Sequence, residues 1–473
     1  MKPMVCAAVP WGRLWCALVA LAAGLALLAG CATDFDGLRR EHVETFPGQL
    51  ASRTAAELPD GLPVGLDDCI RIALANNLDA QAARIDRRLA MLDRKIAFSH
   101  FLPHIDLQVT HYASDRQQAL GVGGQYTPMS DQAVTSAVLG AQQAIFAPQA
   151  WFLYSAYLKG EAISGLVAER TRDLIRLQVT ILYFAALSRD QSRTAIEAAL
   201  QQAQGLLGQT AALAREGLAT PGRVARARTL VQAQQTRLAE NVRNRAETRA
   251  VLLEVMGLSP LAQIELKPET PITLAEAPLV DQILDALLLR PEMHIADRTI
   301  AIRKDEVRTA IARFLPLVGG FAELSHSSDS FLRYSELWTF GVTGVLSVFD
   351  GFANLHAYRA AKERREQAFL AREQACLQIM LEVIQARSRH DQALDNRQLA
   401  RQELAAATLV LSETEALWRE GLLTPAERLD AVAHHAVAAS NALVSDFQVQ
   451  VTAATLRDVM GISGKGQDHE EIE

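Results

Sequence analysis

Two pairs of histidines are the first places in this chain where side-chain chemistry can be sought. His434 and His435 are neighbours in a helical pattern, so their rings point about 100° apart and do not converge on one metal. His100 and His104 straddle Pro103 where a helical pattern gives way to a strand pattern, and no metal site is expected there either. No Ser-His-Asp order, carboxylate pair in an apolar pocket or phosphate-cradling loop stands out, so neither an enzyme nor a cofactor site is expected. With 47 Lys and Arg against 54 Asp and Glu, the chain is also a poor match for nucleic acid.

One residue does invite a covalent reaction. Lys2 and Arg13 flank or precede an apolar run, Leu14 to Leu28, that is short for a spanning helix, and Leu28-Ala29-Gly30-Cys31 follows. Residues 1–30 read as a signal peptide whose ending resembles a bacterial lipobox. That resemblance implies cleavage before Cys31, lipid on its sulfur and new amino terminus, and, with Ala32 next, sorting to the outer membrane. The mature chain then carries 45 basic and 54 acidic residues, a balance of −9, and three cysteines: Cys31, Cys69 and Cys376. With Cys31 lipidated at most one disulfide is possible, and Cys69 and Cys376 read as buried small apolar residues. After Cys31 no stretch approaches the roughly 18 apolar residues of a membrane helix. A spanning part would therefore have to be a closed β-barrel.

The elements that position the remaining candidates come in duplicate. Arg215-Glu216-Gly217-Leu218-Ala219-Thr220-Pro221 returns as Arg419-Glu420-Gly421-Leu422-Leu423-Thr424-Pro425, at an offset of 204. Phe101-Leu102-Pro103 returns at Phe314 with an offset of 213, and Val255-Met256-Gly257 at Val459 with an offset of 204. These matches describe two internal repeats. The segment before Phe146 is ten residues longer than its counterpart before Phe349, whereas the segments from there to the twin turns differ by one. Loops absorb insertions; paired helices keep a common length.

Each variable segment reads as two strands and a loop. Ile105 to Thr110 and Trp338 to Val348 alternate apolar and polar residues, while Val134 to Phe146 alternates poorly because of Gly140, Gln142 and Gln143. Each constant segment, from Trp151 and from residue 352, reads as roughly 60 residues of helix, a rod about 90–100 Å long. After each turn the apolar spacing is that of a coiled coil: Val224, Ala227, Val231, Leu238, Val242, and Leu429, Val432, Ala436, Leu443, Phe447. The expected layout is a signal peptide at 1–30, a lipid-anchored extended segment at 31–62, a first repeat at 63–257, a Pro-rich linker at 258–278, a second repeat at 279–462 and an acidic, disordered tail at 463–473.

Four strands cannot close a barrel, and open edges are not tolerated in lipid, so copies of the chain must share one. Leu66-Asp67-Asp68, Ala73-Leu74-Ala75-Asn76-Asn77, Arg290-Pro291-Glu292, Phe349-Asp350-Gly351 and the twin Glu-Gly-Leu turns resemble the TolC family of outer-membrane efflux proteins, and with the lipobox its lipoprotein branch. The resemblance spans about residues 63 to 462. It implies a membrane α+β fold: a trimeric twelve-stranded β-barrel, four strands per chain, continuing into a long α-helical coiled-coil periplasmic barrel.

The same resemblance assigns roles at the twin turns. Gly217, Leu218 and Thr220, with Gly421, Leu422 and Thr424, match the periplasmic tip where an adaptor docks. Some relatives close the tunnel with acids six and nine positions after the second glycine, which here are Glu427 and Asp430. The first turn carries Arg223 and Arg226 instead, so opposite charges are expected to meet at a closed mouth. The implied function is a passive exit duct for small molecules or drugs, joined to a periplasmic membrane-fusion adaptor and an inner-membrane pump of RND or ABC type. A type I protein secretion outlet and a non-conducting envelope tether are the alternatives.

Overall fold

The structure, a computed structural model, describes residues 34–58, 62–123, 125–268, 272–274 and 277–462. The expected signal peptide, Cys31 and the tail from residue 463 lie outside the described residues. Residues 1–62 and 63–473 form separate units.

In the first unit the expected extended segment is instead a helix, α1, Phe35–Glu57. Asp34 caps it, its carboxylate accepting from the backbone of Asp36 and Gly37. Arg39 pairs with Asp36 one turn away, and Pro47 is accommodated inside the helix. A firm start and local charge pairs thus outweigh the breakers at Pro47 and Gly48.

The second unit begins with helices α2, Leu66–Asn76, and α3, Leu78–Ser99. Asn77 separates them and caps α3 through Asp79 and Ala80. Strand β1, His104–Ala113, is followed by a small hairpin, β2 Ala119–Val122 and β3 Gln125–Pro128, and by β4, Ala133–Phe146. That hairpin is where the first half's extra length goes. Then come two long helices, α4 Pro148–Arg215 and α5 Pro221–Val255. The second half supplies α6 Leu279–Leu289, α7 Pro291–Ala312, β5 Leu317–Ser327, β6 Glu336–Val345, α8 Ala353–Arg419 and α9 Pro425–Val459. Helices α4 and α8 have 68 and 67 residues, and α5 and α9 have 35 each.

The large sheet is antiparallel in the order β1-β4-β5-β6. Its register aligns Leu107, Leu139, Leu324 and Trp338 in one row and Asp106, Gly140, Glu323 and Thr339 in the next. Because neighbouring residues point to opposite faces, Ile105, Leu107, Leu139, Leu324, Trp338 and Phe340 share one face, which is mainly apolar, and the other face is mixed. Gly140 and Gln142, which blur the alternation of β4, fall on the mixed face.

Below the sheet, α4 lies against α3, α5, α7 and α9, and α8 against α7 and α9. Small residues set the spacing: on α8 the buried Ala386, Ala393, Ala400, Ala407 and Thr414 recur every seven positions. On α5 the buried seam runs Ala227, Val231, Gln234 and Asn241, so Val242, expected in it, is displaced to the surface. The Pro-rich linker is partly packed: Leu258 and Ile264 are buried, and Val64 bridges to Leu266. Tyr183, fully buried, donates to the carbonyl oxygens of Val64 and Lys267 at 3.1 and 2.6 Å, holding that bridge against α4.

Candidate functional site

The twin turns are built alike. Helix α4 ends with the Leu218 amide donating to the Leu213 carbonyl at 2.8 Å and the Gly217 amide to Ala214 at 3.2 Å. Helix α8 ends with Leu422 donating to Leu417 and Gly421 to Trp418, both at 3.0 Å. This pairing of two backward bonds is a Schellman motif, which needs a left-handed residue. Gly217 and Gly421 supply it with φ of 78° and 74°. A methyl group at either would meet nothing within 4 Å. The glycines are there for the turn itself, and Leu218 and Leu422 stand 67% and 68% exposed beside them.

The helices that leave the turns start differently. Thr424 caps α9 through the Glu427 amide, and the Glu427 carboxylate accepts from the Thr424 amide and hydroxyl at 2.8 and 2.7 Å. Thr220 makes no side-chain cap bond, and with Arg223 at the third helical position of α5 there is no carboxylate to accept from its amide; the Arg223 amide donates to the Thr220 carbonyl instead. The bonds from Thr424 hold the Glu427 carboxyl below its ordinary pKa, with the charge of Arg223 adding to them. Glu427 is therefore engaged as a capping residue.

The second pair of candidates does meet. Arg226 Nη2 lies 2.8 Å from Asp430 Oδ1, joining α5 to α9 across the two halves of the chain. Both side chains are about three-fifths exposed, at 60% and 62%. Just inside, Leu206, Ala227 and Leu429 form a buried cluster. Sequence reading missed Arg428, which the structure makes the main cross-link here. Its guanidinium binds Glu415 on α8 at 2.9 and 3.0 Å, donates to Gln209 on α4, and lies over the Trp418 ring. The only signal for it was a lone arginine beside the coiled-coil seam.

The far end of the helices is anchored by the Arg290-Pro291-Glu292 corner. Arg290 reaches Glu382 on α8 at 2.5 Å and Glu292 at 2.7 Å, while Arg170 on α4 joins Glu292 at 2.9 Å and Asp458 on α9 at 2.9 Å. Burial acts to raise the Glu292 pKa, but the bonds from Arg290 and the charge of Arg170 bring it below the usual range. Gly257 closes against Asn76, where a Cβ would stand 2.4 Å from the Asn76 carbonyl oxygen. Asn77 donates to the Val255 carbonyl at 2.9 Å. The Asn76-Asn77 pair is thus a packing device.

At the sheet, large apolar side chains face outward: Leu107 is 67% exposed, Trp338 66% and Phe340 80%. No cluster of three or more His, Cys, Asp or Glu among the described residues could hold a metal. No helix of the described residues is long and apolar enough to cross a membrane. The arrangement offers an uncovered apolar sheet, long helical hairpins and an ion pair where they end.

Comparison with known proteins agrees with that geometry. Residues 283–462 match the family described as Outer membrane efflux protein. Protein CyaE of Bordetella pertussis is 28% identical over 404 residues, covering 79% of this chain and 82% of the relative. The pyoverdine export outer membrane protein OpmQ of Pseudomonas putida is 25% identical over 375 residues, covering 77% and 79%. The crystal structure of the outer membrane protein VceC from Vibrio cholerae superposes with a TM-score of 0.71 at 16% identity, covering 84% of this chain and 96% of that one. The last likeness is one of fold.

Proposed function

We propose that this chain, similar to the outer membrane efflux proteins over residues 283–462, works as the exit duct of a tripartite efflux system that exports small molecules. The observation that carries the reading is the four-stranded sheet, apolar on one uncovered face and open at β1 and β6. Three copies close those edges into a twelve-stranded barrel whose apolar face meets lipid. Helices α4 and α8, with 68 and 67 residues, extend the duct by about 100 Å at 1.5 Å per residue.

In this reading Cys31 carries lipid and tethers each copy to the membrane. The twin turns, with Leu218 and Leu422 exposed, receive the hairpin tips of a periplasmic adaptor, and the pump behind it supplies energy and most substrate choice. The pair Arg226 and Asp430 holds the entrance closed until the adaptor separates α5 from α9. Small molecules are the favoured cargo because OpmQ, similar over most of its length, is a pyoverdine export protein; the pump is of RND or ABC type.

The test is a clean deletion in the native host. Loss of the gene should make cells retain small efflux substrates, and restoring the chain should reverse this. Unchanged small-molecule efflux together with loss of a secreted protein would overturn the cargo assignment in favour of protein secretion.

A further inference from the structure

Helices α5 and α9 both pack along α4 and are joined to each other by the Arg226 and Asp430 pair. Farther from the twin turns they stand apart, leaving between them a cleft of about 310 Å³ with α4 as its floor. That size lies in the range of small-molecule sites. Arg237 lines the cleft from α5 and Asn441 from α9. Each is eleven residues beyond its counterpart in the ion pair, about three turns or roughly 16 Å along its helix. Three whole turns bring a residue back to the same face, so the cleft and the ion pair lie on one side of both helices.

The internal repeat shows what the cleft lacks in charge. Arg226 and Asp430 are 204 positions apart, and so are Arg237 and Asn441. In the first pair of equivalent positions a guanidinium meets a carboxylate at 2.8 Å. In the second an arginine looks across the cleft at a neutral amide, and Arg237 makes no ion pair among the described residues. Its charge is matched by nothing that the equivalent position supplies to Arg226.

An independent feature lies one turn beyond Arg237. Asn241 is 5% exposed and lines the same cleft. Its amide nitrogen donates to the Arg189 carbonyl at 3.2 Å, while its buried Oδ1 has no hydrogen-bond partner. A buried acceptor of this kind calls for a donor. Glu240 adds a negative charge to the same wall without pairing to Arg237. It disfavours a compact multivalent anion such as phosphate and favours a single carboxylate with an N–H or O–H group beside it. Ile196 on the floor and Val437 on α9 offer an apolar surface next to these polar groups.

We propose that this cleft binds small carboxylic acids that carry an N–H or O–H donor next to the carboxylate and an apolar group beyond it. The planar fork of Arg237 takes the carboxylate as Arg226 takes Asp430. Asn241 Oδ1 accepts from the adjacent donor, and Ile196 and Val437 cover the apolar part. The inference rests on the reading of the chain as an exit duct and adds a class of cargo to it, held about three turns inside the entrance.

The experiment uses the purified full-length oligomer in detergent, titrated calorimetrically with hippurate, which joins a carboxylate, a neighbouring amide N–H and a phenyl ring. Hippuramide, its neutral counterpart, should bind at least about tenfold more weakly, as loss of a charged hydrogen bond requires. Arg237→Gln should weaken hippurate by a similar factor. So should Asn441→Asp, which places a carboxylate across from Arg237 and satisfies it from within the chain. Absence of hippurate binding, equal binding of the two compounds, or hippurate binding unchanged in both variants overturns the site. The comparison of the two compounds needs no variant, so it decides even where a variant does not assemble. Planar-bilayer conductance of the same protein separates the two readings. A conducting channel that fails the binding test loses the site and keeps the duct, whereas a preparation that binds hippurate selectively and conducts nothing keeps the site and loses the duct and the cargo role.

Discussion

Asp430→Arg is the most informative single change at the entrance. It replaces the 2.8 Å attraction to Arg226 with repulsion between two guanidiniums. An exposed pair of this kind contributes roughly 0.2–1 kcal/mol. If three copies open together, the closed state loses about 0.6–3 kcal/mol, which shifts the open-to-closed ratio by about 3- to 150-fold. Repulsion adds to that figure, and raised salt subtracts from it, since exposed charges are screened within about 10 Å at 0.1 M. The assay is single-channel recording in planar bilayers across a salt series. The variant should spend more time open at low salt and converge on the parent at high salt, and the swap Arg226→Asp/Asp430→Arg should return the parental behaviour. Unchanged opening at low salt, or a variant effect independent of salt, refutes the gate.

Three further outcomes follow from the same geometry. Thr424→Ala removes a side-chain cap and should destabilise the start of α9 by about 1 kcal/mol, whereas Thr220→Ala, which removes none, should cost only a few tenths, read as amide exchange at the two tips. Gly217→Ala and Gly421→Ala meet open space and should cost about 1–2 kcal/mol for their left-handed backbone, whereas Gly257→Ala must also displace Asn76 and should lower the melting temperature further. His390, buried against Thr452 and facing Asp391, Arg387 and Arg397, has its pKa pushed down by burial from an ordinary value near 6.5. A neutral imidazole of this kind stabilises the fold above its unfolded pKa. The benefit fades as pH falls from that value through the lower folded one. Melting between pH 7 and pH 5 should therefore fall more steeply for the parent than for His390→Gln.

Much of this fold was legible because its signals are periodic and paired. The twin turns, the long proline-free helices and the alternating strands each carry a local rule that the structure obeys. Where the sequence misled, two local rules competed. Residues 35–57, expected to be extended, are a helix that tolerates Pro47 and is held by the cap at Asp34 and the Asp36 to Arg39 pair. In β4 Gly140 and Gln142 fall on the face opposite Leu139, while Gln143 interrupts the apolar face itself, so the weak alternation there is real.

The candidate site was legible by type more than by partner. The charge difference after the twin turns singled out four residues, and the structure pairs two of them. Glu427 goes to the cap of its own helix, a bond its spacing from Thr424 would have disclosed. The partners of Arg428 and Tyr183 could not be read from the sequence, since they lie on segments brought close only by folding.

The central claim is that copies of this chain enclose a water-filled path through a membrane. Its most direct test is release of trapped small dyes from liposomes holding the purified full-length protein, beside the Asp430→Arg variant. The account predicts that the variant empties vesicles of small dye while large dextrans stay inside, with the parent slower. Vesicles that stay sealed to small dye with both proteins inserted as oligomers would contradict it.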